Sequence, residues 1–287
     1  MNINSKKSTM LGATVPTTGG IHNAFKWGDK WGVKAVQFYL TLSRQWKVNH
    51  MTEGDKEKFR EAWRNSDVKE VVAHIPYLVN LTSATKRTRE KSIDRMVAEI
   101  ERAKELGVEY LVLHPGSPGK NGKEKGLRFL KEGFDRVFNQ VDPDGVEILI
   151  ETMAGQGTSL GSTFKEVKEI LDLLDNEEVF SVCFDSAHVL EAGYDIRGEG
   201  GYEKVLNQFE RQISLKKIKA FHLNDSKTEF NSKSDRHEHI GEGEIGLTFF
   251  NKLLNDDRFG DIPKIIETPK MGEMSEKNIK TLKDILA

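Results

Sequence analysis

Short continuous runs of apolar residues alternate with longer stretches of helical period along the whole chain, and most of the short runs end on a polar side chain that can bind a cation. The runs are Leu11 to Val15, Val36-Gln37-Phe38-Tyr39, Val71-Val72-Ala73-His74, Tyr110-Leu111-Val112-Leu113-His114, Ile148-Leu149-Ile150-Glu151, Val182-Cys183-Phe184-Asp185, Ala220-Phe221-His222 and Ile265-Ile266-Glu267. Strands that are apolar on both faces belong in a parallel sheet covered by helices. The intervening stretches supply those helices. Ile93, Met96, Val97, Ile100, Ala103 and Leu106 form one apolar stripe, stopped by Gly107. Val167, Ile170, Leu171 and Leu174 form another behind a capping-box pattern at Thr163 and Glu166. Tyr202, Val205, Leu206, Phe209 and Ile213 make a third, and Ile279, Leu282, Ile285 and Leu286 follow Ser275 as a predicted N-cap. Asp142-Pro143-Asp144-Gly145 reads as a tight turn before the fifth strand.

Strand and helix alternate without a linker, a low-complexity tract or an internal repeat, which predicts one α/β barrel. A chain of 287 residues, 37% apolar, has the usual size for it. The expected organisation is a frayed tail over 1–10 and a single barrel domain over 11–287. The tail is polar and carries Lys6 and Lys7 without an apolar targeting segment, and no run reaches membrane-spanning length. The expectation is a cytoplasmic protein with no membrane association. Cys183, the lone cysteine, sits between Val182 and Phe184 and reads as a small core residue.

Parallel barrels place their chemistry at the carboxyl ends of the strands. The candidate cation ligands are His74, His114, Glu151, Asp185, His188, His222, Asp235, His237 and Glu267. Each alone has a plain structural explanation, but five of the chain's eight histidines fall at or just after strand ends. Imidazole and carboxylate together suit zinc and similar borderline ions. Asp185 and His188 lie three apart where a strand gives way to the next element, so they can face neighbouring ions. Asp235 and His237 lie two apart on an extended segment and project to one side. His22, His50 and His239 lack an apolar strand leading to them and are read as surface or supporting residues.

The formal net charge of −2 argues against a simple basic nucleic-acid clamp. The local balance differs, because three divalent ions against the carboxylates Glu151, Asp185, Asp235 and Glu267 leave 3 × 2 − 4 = +2, enough to attract a polyanion. No nucleophile elbow, Walker loop or dinucleotide fingerprint occurs. Gly155-Gln156-Gly157 and Gly241-Glu242-Gly243 read as tight turns near the site.

Six motifs together resemble the endonuclease IV family of apurinic/apyrimidinic endonucleases. They are Leu113-His114-Pro115-Gly116-Ser117, Glu151 through Gly157, Asp185-Ser186-Ala187-His188 followed by Ala192-Gly193-Tyr194-Asp195, His222 through Lys227, Asp235-Arg236-His237 leading to Gly241-Glu242-Gly243, and Glu267-Thr268. The resemblance runs from about Leu11 to the C-terminus. It implies a (β/α)8 TIM barrel with a metal cluster at the C-terminal face of the strands. It further implies three zinc ions, with manganese able to replace part of them. His74, His114 and Glu151 would hold the first; Glu151, Asp185, His222 and Glu267 the second; and His188, Asp235 and His237 the third. The implied activity is hydrolysis of the phosphodiester 5′ to an abasic site in duplex DNA, giving a 3′-hydroxyl and a 5′-deoxyribose phosphate, with trimming of blocked 3′ ends besides. Glu151 and Glu267 would be the catalytic carboxylates, and Arg44, Gln45 and Tyr77 would contact DNA, on a monomeric protein. An abasic nucleotide has no base to unstack, so extruding it contributes selectivity.

The chain departs from the family in two places. Gly12-Ala13-Thr14-Val15 lacks the usual first-strand histidine, and Leu42 and Ser43 are atypical beside Arg44, Gln45 and Trp46. Two other functions compete. A metal-dependent sugar isomerase or epimerase on the same scaffold explains the strand-end ligands but not the Asp235-Arg236-His237 triplet. A noncatalytic damage-binding protein with structural zinc would more often use closed, cysteine-rich sites.

Overall fold

The structure is a computed structural model that describes residues 9–286. Among these residues eight parallel strands close a barrel: β1 Leu11–Thr14, β2 Ala35–Phe38, β3 Glu70–His74, β4 Tyr110–Leu113, β5 Glu147–Glu151, β6 Phe180–Asp185, β7 Ile218–His222 and, after a short antiparallel pair β8 Asp225–Ser226 and β9 His237–Glu238, β10 Lys264–Ile266. The sheet closes through pairing of β1 with both β2 and β10. Around it lie α1 Ala24–Trp31, α2 Glu53–Arg64, α3 Lys86–Leu106, α4 Gly122–Phe138, α5 Phe164–Leu174, α6 Ser186–Glu191, α7 Gly198–Gln212, α8 Leu247–Leu254 and α9 Ser275–Asp284. All eight strand runs named from the sequence are strands of this barrel.

Alternation along each strand divides the apolar residues into two sets. One set packs outward against the helices, as Phe184 does with Phe164 and Phe209. The other faces inward and forms a small apolar plug of Ala35, Val72, Val112, Leu149, Cys183, Ala220 and Ile265. Burial pushes the Cys183 thiol up to about 12, so it is an inert member of that plug. On β1 the inward position is Gly12, where a Cβ would stand 2.4 Å from Ile265 Cδ1 and 2.7 Å from the Ala35 carbonyl.

Local signals fare unevenly. Gly107 ends α3 in the left-handed conformation, φ 74°, as predicted. The Asp142–Gly145 turn forms, with Val146 N donating to Pro143 O at 2.8 Å. At α5 only half of the capping box exists: Thr163 accepts from Glu166 N, while the Glu166 carboxylate turns to Ser162 N and Oγ. Ser275 is the first residue of α9, not its cap, which is Met274, and Ile285 and Leu286 lie beyond the helix end. The Ser275 hydroxyl instead accepts from Gly272 N at 3.1 Å, so the serine fixes the preceding turn. Of the expected N-terminal tail, 1–8 lie outside the described residues. Met10 pairs with the barrel through Lys264 N, which donates to its carbonyl at 2.9 Å.

Gly12→Val is expected to lower stability by about 1–3 kcal/mol through overpacking of the plug. A thermal melt of the variant unchanged from the parent would mean that the barrel interior has room the contact distances deny.

Candidate metal centre

Two residues beyond each member of the plug, the same inward alternation brings a polar group to the carboxyl mouth. Ala35 is followed by Gln37, Val72 by His74, Val112 by His114, Leu149 by Glu151, Cys183 by Asp185, Ala220 by His222 and Ile265 by Glu267. Gly12 is followed by Thr14. The polar ring therefore shares the apolar plug's geometry, one pleat higher. His188 comes from the first turn of α6, whose N-cap is Asp185: the carboxylate accepts from His188 N at 2.8 Å and so ties the two together. Asp235 and His237 arrive on the segment entering β9.

The Glu151 carboxylate sits at the centre. Its Oε2 lies 3.2 Å from His74 Nε2 and 2.9 Å from His114 Nε2, while Oε1 lies 3.1 Å from His222 Nδ1 and 3.4 Å from His188 Nδ1. His222 Nδ1 is also 3.0 Å from Glu267 Oε2 and 3.7 Å from Asp185 Oδ2. Beside them His188 Nε2 approaches Asp235 Oδ1 at 3.3 Å, His237 Nε2 approaches the same oxygen at 3.5 Å, and the two imidazole nitrogens are 3.5 Å apart. All nine residues nominated from the sequence thus meet in one cluster. His74, His114 and Glu151 form one group able to hold a cation, and Glu151, Asp185, His222 and Glu267 another. The third grouping is wider than expected, because buried Asp185 also joins His188 and His237, and Glu191 joins His188 and Asp235.

The far nitrogens of the histidines settle what the near ones can do. His74 Nδ1 meets the Ile75 carbonyl at 2.7 Å, His188 Nδ1 the Thr152 carbonyl at 2.9 Å, His222 Nε2 the Gln37 amide oxygen at 2.9 Å and His237 Nδ1 the Glu267 carbonyl at 3.3 Å. An amide oxygen can only accept, so each of these nitrogens carries the proton. In its neutral form each of these imidazoles points a lone pair at the cluster, the tautomer a metal ligand requires. This donor set fits borderline divalent cations.

Protons compete for those lone pairs. Burial favours neutral imidazole, but Asp185 and Asp235 beside His188, and Glu267 and Glu151 beside His222, hold both rings well above the ordinary histidine range. His114 is raised by Glu151 against the same effect of burial. Conversely, burial would raise Glu151, yet His114 and His222 hold it well below the usual carboxylate range, and His188 brings Asp235 down to about 2 against burial. Cation uptake by this cluster must therefore release protons and weaken in acid.

Supporting residues went unassigned in the sequence. Gln37 donates to Glu267 Oε1 at 2.6 Å while accepting from His222, and its Nε2 also reaches Thr14 Oγ1 at 3.2 Å. The signal was a lone amide inside the apolar run Val36-Gln37-Phe38. Thr14, at the end of β1, places its hydroxyl 3.4 Å from Glu267 Oε1. Asn224 donates to Asp185 Oδ2 at 2.7 Å and accepts from Glu267 N at 2.9 Å. Asp225 accepts from Gly241, Gly243 and Ile245 amides, which folds the glycine turn against β8, where a Cβ on Gly243 would meet Ser226 O at 2.3 Å. His239 is buried against Asn278, behind Thr268, whereas His22 is half-buried and His50 exposed.

Of the nominated DNA contacts, Arg44 and Gln45 are exposed on the loop after β2, and Tyr77 is exposed on the loop after β3, with 60% of its surface free. Both loops leave the carboxyl ends of their strands and border the cluster. Tyr39, which ends the β2 run, packs its ring 5.7 Å from His74.

The xylose isomerase-like TIM barrel family matches residues 25–285. A curated protein of Geobacter sulfurreducens named "Probable endonuclease 4" is 43% identical over 272 residues, covering 95% of this chain and 92% of that protein. The crystal structure of endonuclease IV from Thermus thermophilus superposes with a TM-score of 0.84 at 30% identity, over 96% of this chain and 98% of that one. A D-tagatose 3-epimerase-like protein superposes with a TM-score of 0.74 at 20% identity, over 96% of this chain and 97% of that one, which is a likeness of fold.

Gln37→Leu removes the amide shared by Glu267 and His222, and a loss of this kind commonly weakens a site by roughly 10–100-fold. Competition against a chromophoric zinc chelator should register it for one class of bound cation; identical titration curves would exclude Gln37 from the support of the centre.

Proposed function

The chain belongs to the endonuclease IV family, and on that premise we propose that it is a zinc-dependent DNA-repair nuclease that hydrolyses the phosphodiester 5′ to an abasic site in duplex DNA. The products are a 3′-hydroxyl and a 5′-deoxyribose phosphate. The observation that carries this reading is the orientation of His74, His188, His222 and His237, whose outer nitrogens are pinned by carbonyl and amide oxygens so that the inner ones face the carboxylates.

The ligand assignment is the one the family resemblance implies, and the short distances between these side chains support it. His74, His114 and Glu151 would hold one cation; Glu151, Asp185, His222 and Glu267 a second; His188, Asp235 and His237 a third. When bound, the cations polarise the phosphoryl oxygens and make a hydroxide nucleophile available near neutral pH. The protein's own groups orient and move charge around them. Glu151, fully buried, keeps its two oxygens directed to opposite sides and has no freedom to leave. Glu267 is more open to the mouth, with Oε1 fixed by Gln37 and Oε2 facing the centre, where it can take the proton of the attacking water. Arg44, Gln45 and Tyr77 stand on the rim, where Arg44 and Tyr77 enter the duplex and Gln45 fills the space beside the extruded abasic sugar.

A sugar isomerase or epimerase would use the first two ligand groups on the same scaffold. It gives no role to the Asp235, His188 and His237 triad or to an arginine and a tyrosine exposed on adjoining loops.

Incubating the protein with a duplex oligonucleotide bearing one abasic analogue should give a single cut on its 5′ side, abolished by chelator and restored by zinc. Glu267→Gln should slow that cut by roughly 10²–10⁴-fold while retaining duplex affinity. Turnover of a ketose with no incision would replace the nuclease reading with the epimerase one.

A further inference from the structure

The loop over 40–49 carries Arg44 and Gln45 and contains no helix or strand. Within it the only backbone bond found among the described residues is the long one from Gln45 N to Leu42 O, 3.3 Å. Its shape is imposed from outside, by one face of α3.

Arg95 is 1% exposed and donates Nη1 to the Gln45 carbonyl at 2.6 Å and Nη2 to the Leu42 carbonyl at 3.1 Å, with Thr41 Oγ1 also in reach of Nη2. One turn further, Glu99 accepts from Arg95 Nε at 2.7 Å and from the Thr41 hydroxyl. Arg102, on the same face, donates Nη1 to the Leu40 carbonyl at 3.0 Å and Nη2 to the Asn49 carbonyl. Two guanidinium groups therefore grip four carbonyls of the loop, at both ends and on either side of Arg44.

This arrangement is not needed to dock α3, which already buries Ile93, Met96, Ile100 and Ala103. It buries two cations against one anion and leaves Glu99 Oε2 without a partner among the described residues. Buried charge of that kind is often less stabilising than an apolar replacement of the same shape. We infer that Arg95, Glu99 and Arg102 are positioning residues for duplex recognition, holding the 40–49 loop in its binding shape before DNA arrives. The inference rests on the reading that this loop touches DNA. A loop already ordered loses less conformational freedom on binding, so the gain falls on affinity and not on the bond-breaking step. Arginine is required because lysine has no planar fork to reach two carbonyls at once.

The test uses the full chain loaded with zinc. The Arg95→Met/Glu99→Met variant removes the buried Arg95–Glu99 pair together and leaves Arg102 on the Leu40 and Asn49 carbonyls, and Arg44→Ala removes the rim cation. Expected for the double variant are unchanged zinc content, unchanged kcat at saturating abasic duplex, faster amide exchange over 40–49, and affinity weakened roughly tenfold. Adding Arg44→Ala to it should cost less than about a further twofold, because a released loop no longer presents that side chain. Duplex affinity within twofold of the parent, or losses that multiply in full, would overturn the inference. An Arg44→Ala protein that binds like the parent would overturn instead the reading that the loop touches DNA. Should Arg95→Met/Glu99→Met fail to fold, Arg95→Lys keeps the charge beside Glu99 and decides the same question: a KM raised at constant kcat supports the clamp, and unaltered kinetics with unaltered exchange reject it.

Discussion

Everything at the mouth of this barrel depends on a spacing constraint: in a closed parallel sheet, side chains two residues apart on a strand face the same way. Once Ala35, Val72, Val112, Leu149, Cys183, Ala220 and Ile265 fill the interior, the next inward position on every one of those strands is directed at the same small volume. Seven backbones converge there without any side chain having to choose a partner first. The plug beneath is made of small and medium apolar groups, so it excludes water from below and lowers the dielectric around the polar ring. That is why Glu151 feels its histidines so strongly.

Gathering this many ionisable groups would be destabilising if each were solved separately. The chain meets the difficulty by giving four of the histidines, and Asp185 and Glu267, a second partner outside the cluster. Carbonyls of Ile75, Thr152 and Glu267 and the Gln37 amide take the outer imidazole protons, and Asn224 links Asp185 to the backbone of Glu267. These partners come from the barrel strands and the segments directly after them. The ring is preorganised by hydrogen bonds directed away from it, and its inner atoms are left for ligand and substrate.

How much of this could be read beforehand depends on whether the signal was local. The strands were legible because burial on both faces makes them continuous apolar runs, and the nine clustered residues because six end such a run and the other three fall in two short motifs, Asp185 to His188 and Asp235 to His237. Gln37 was passed over because a single amide inside a strand has no pattern; its meaning lies in contacts 185 and 230 residues away along the chain. The Ser275 cap was misplaced by one position, since the hydroxyl found an amide in the preceding turn. The clamp on the 40–49 loop was invisible for a different reason. Arg95, Glu99 and Arg102 look like solvated helix charges until the tertiary structure turns that face inward.

The divided loyalty of the Glu151 carboxylate has one more consequence. Its Oε2 belongs to His74 and His114, its Oε1 to His222 and His188, and a rigid carboxyl group cannot rotate toward one pair without turning from the other. The two ligand groups that meet at Glu151 are therefore joined through one buried side chain, and a substitution that turns one face of its carboxylate turns the other as well.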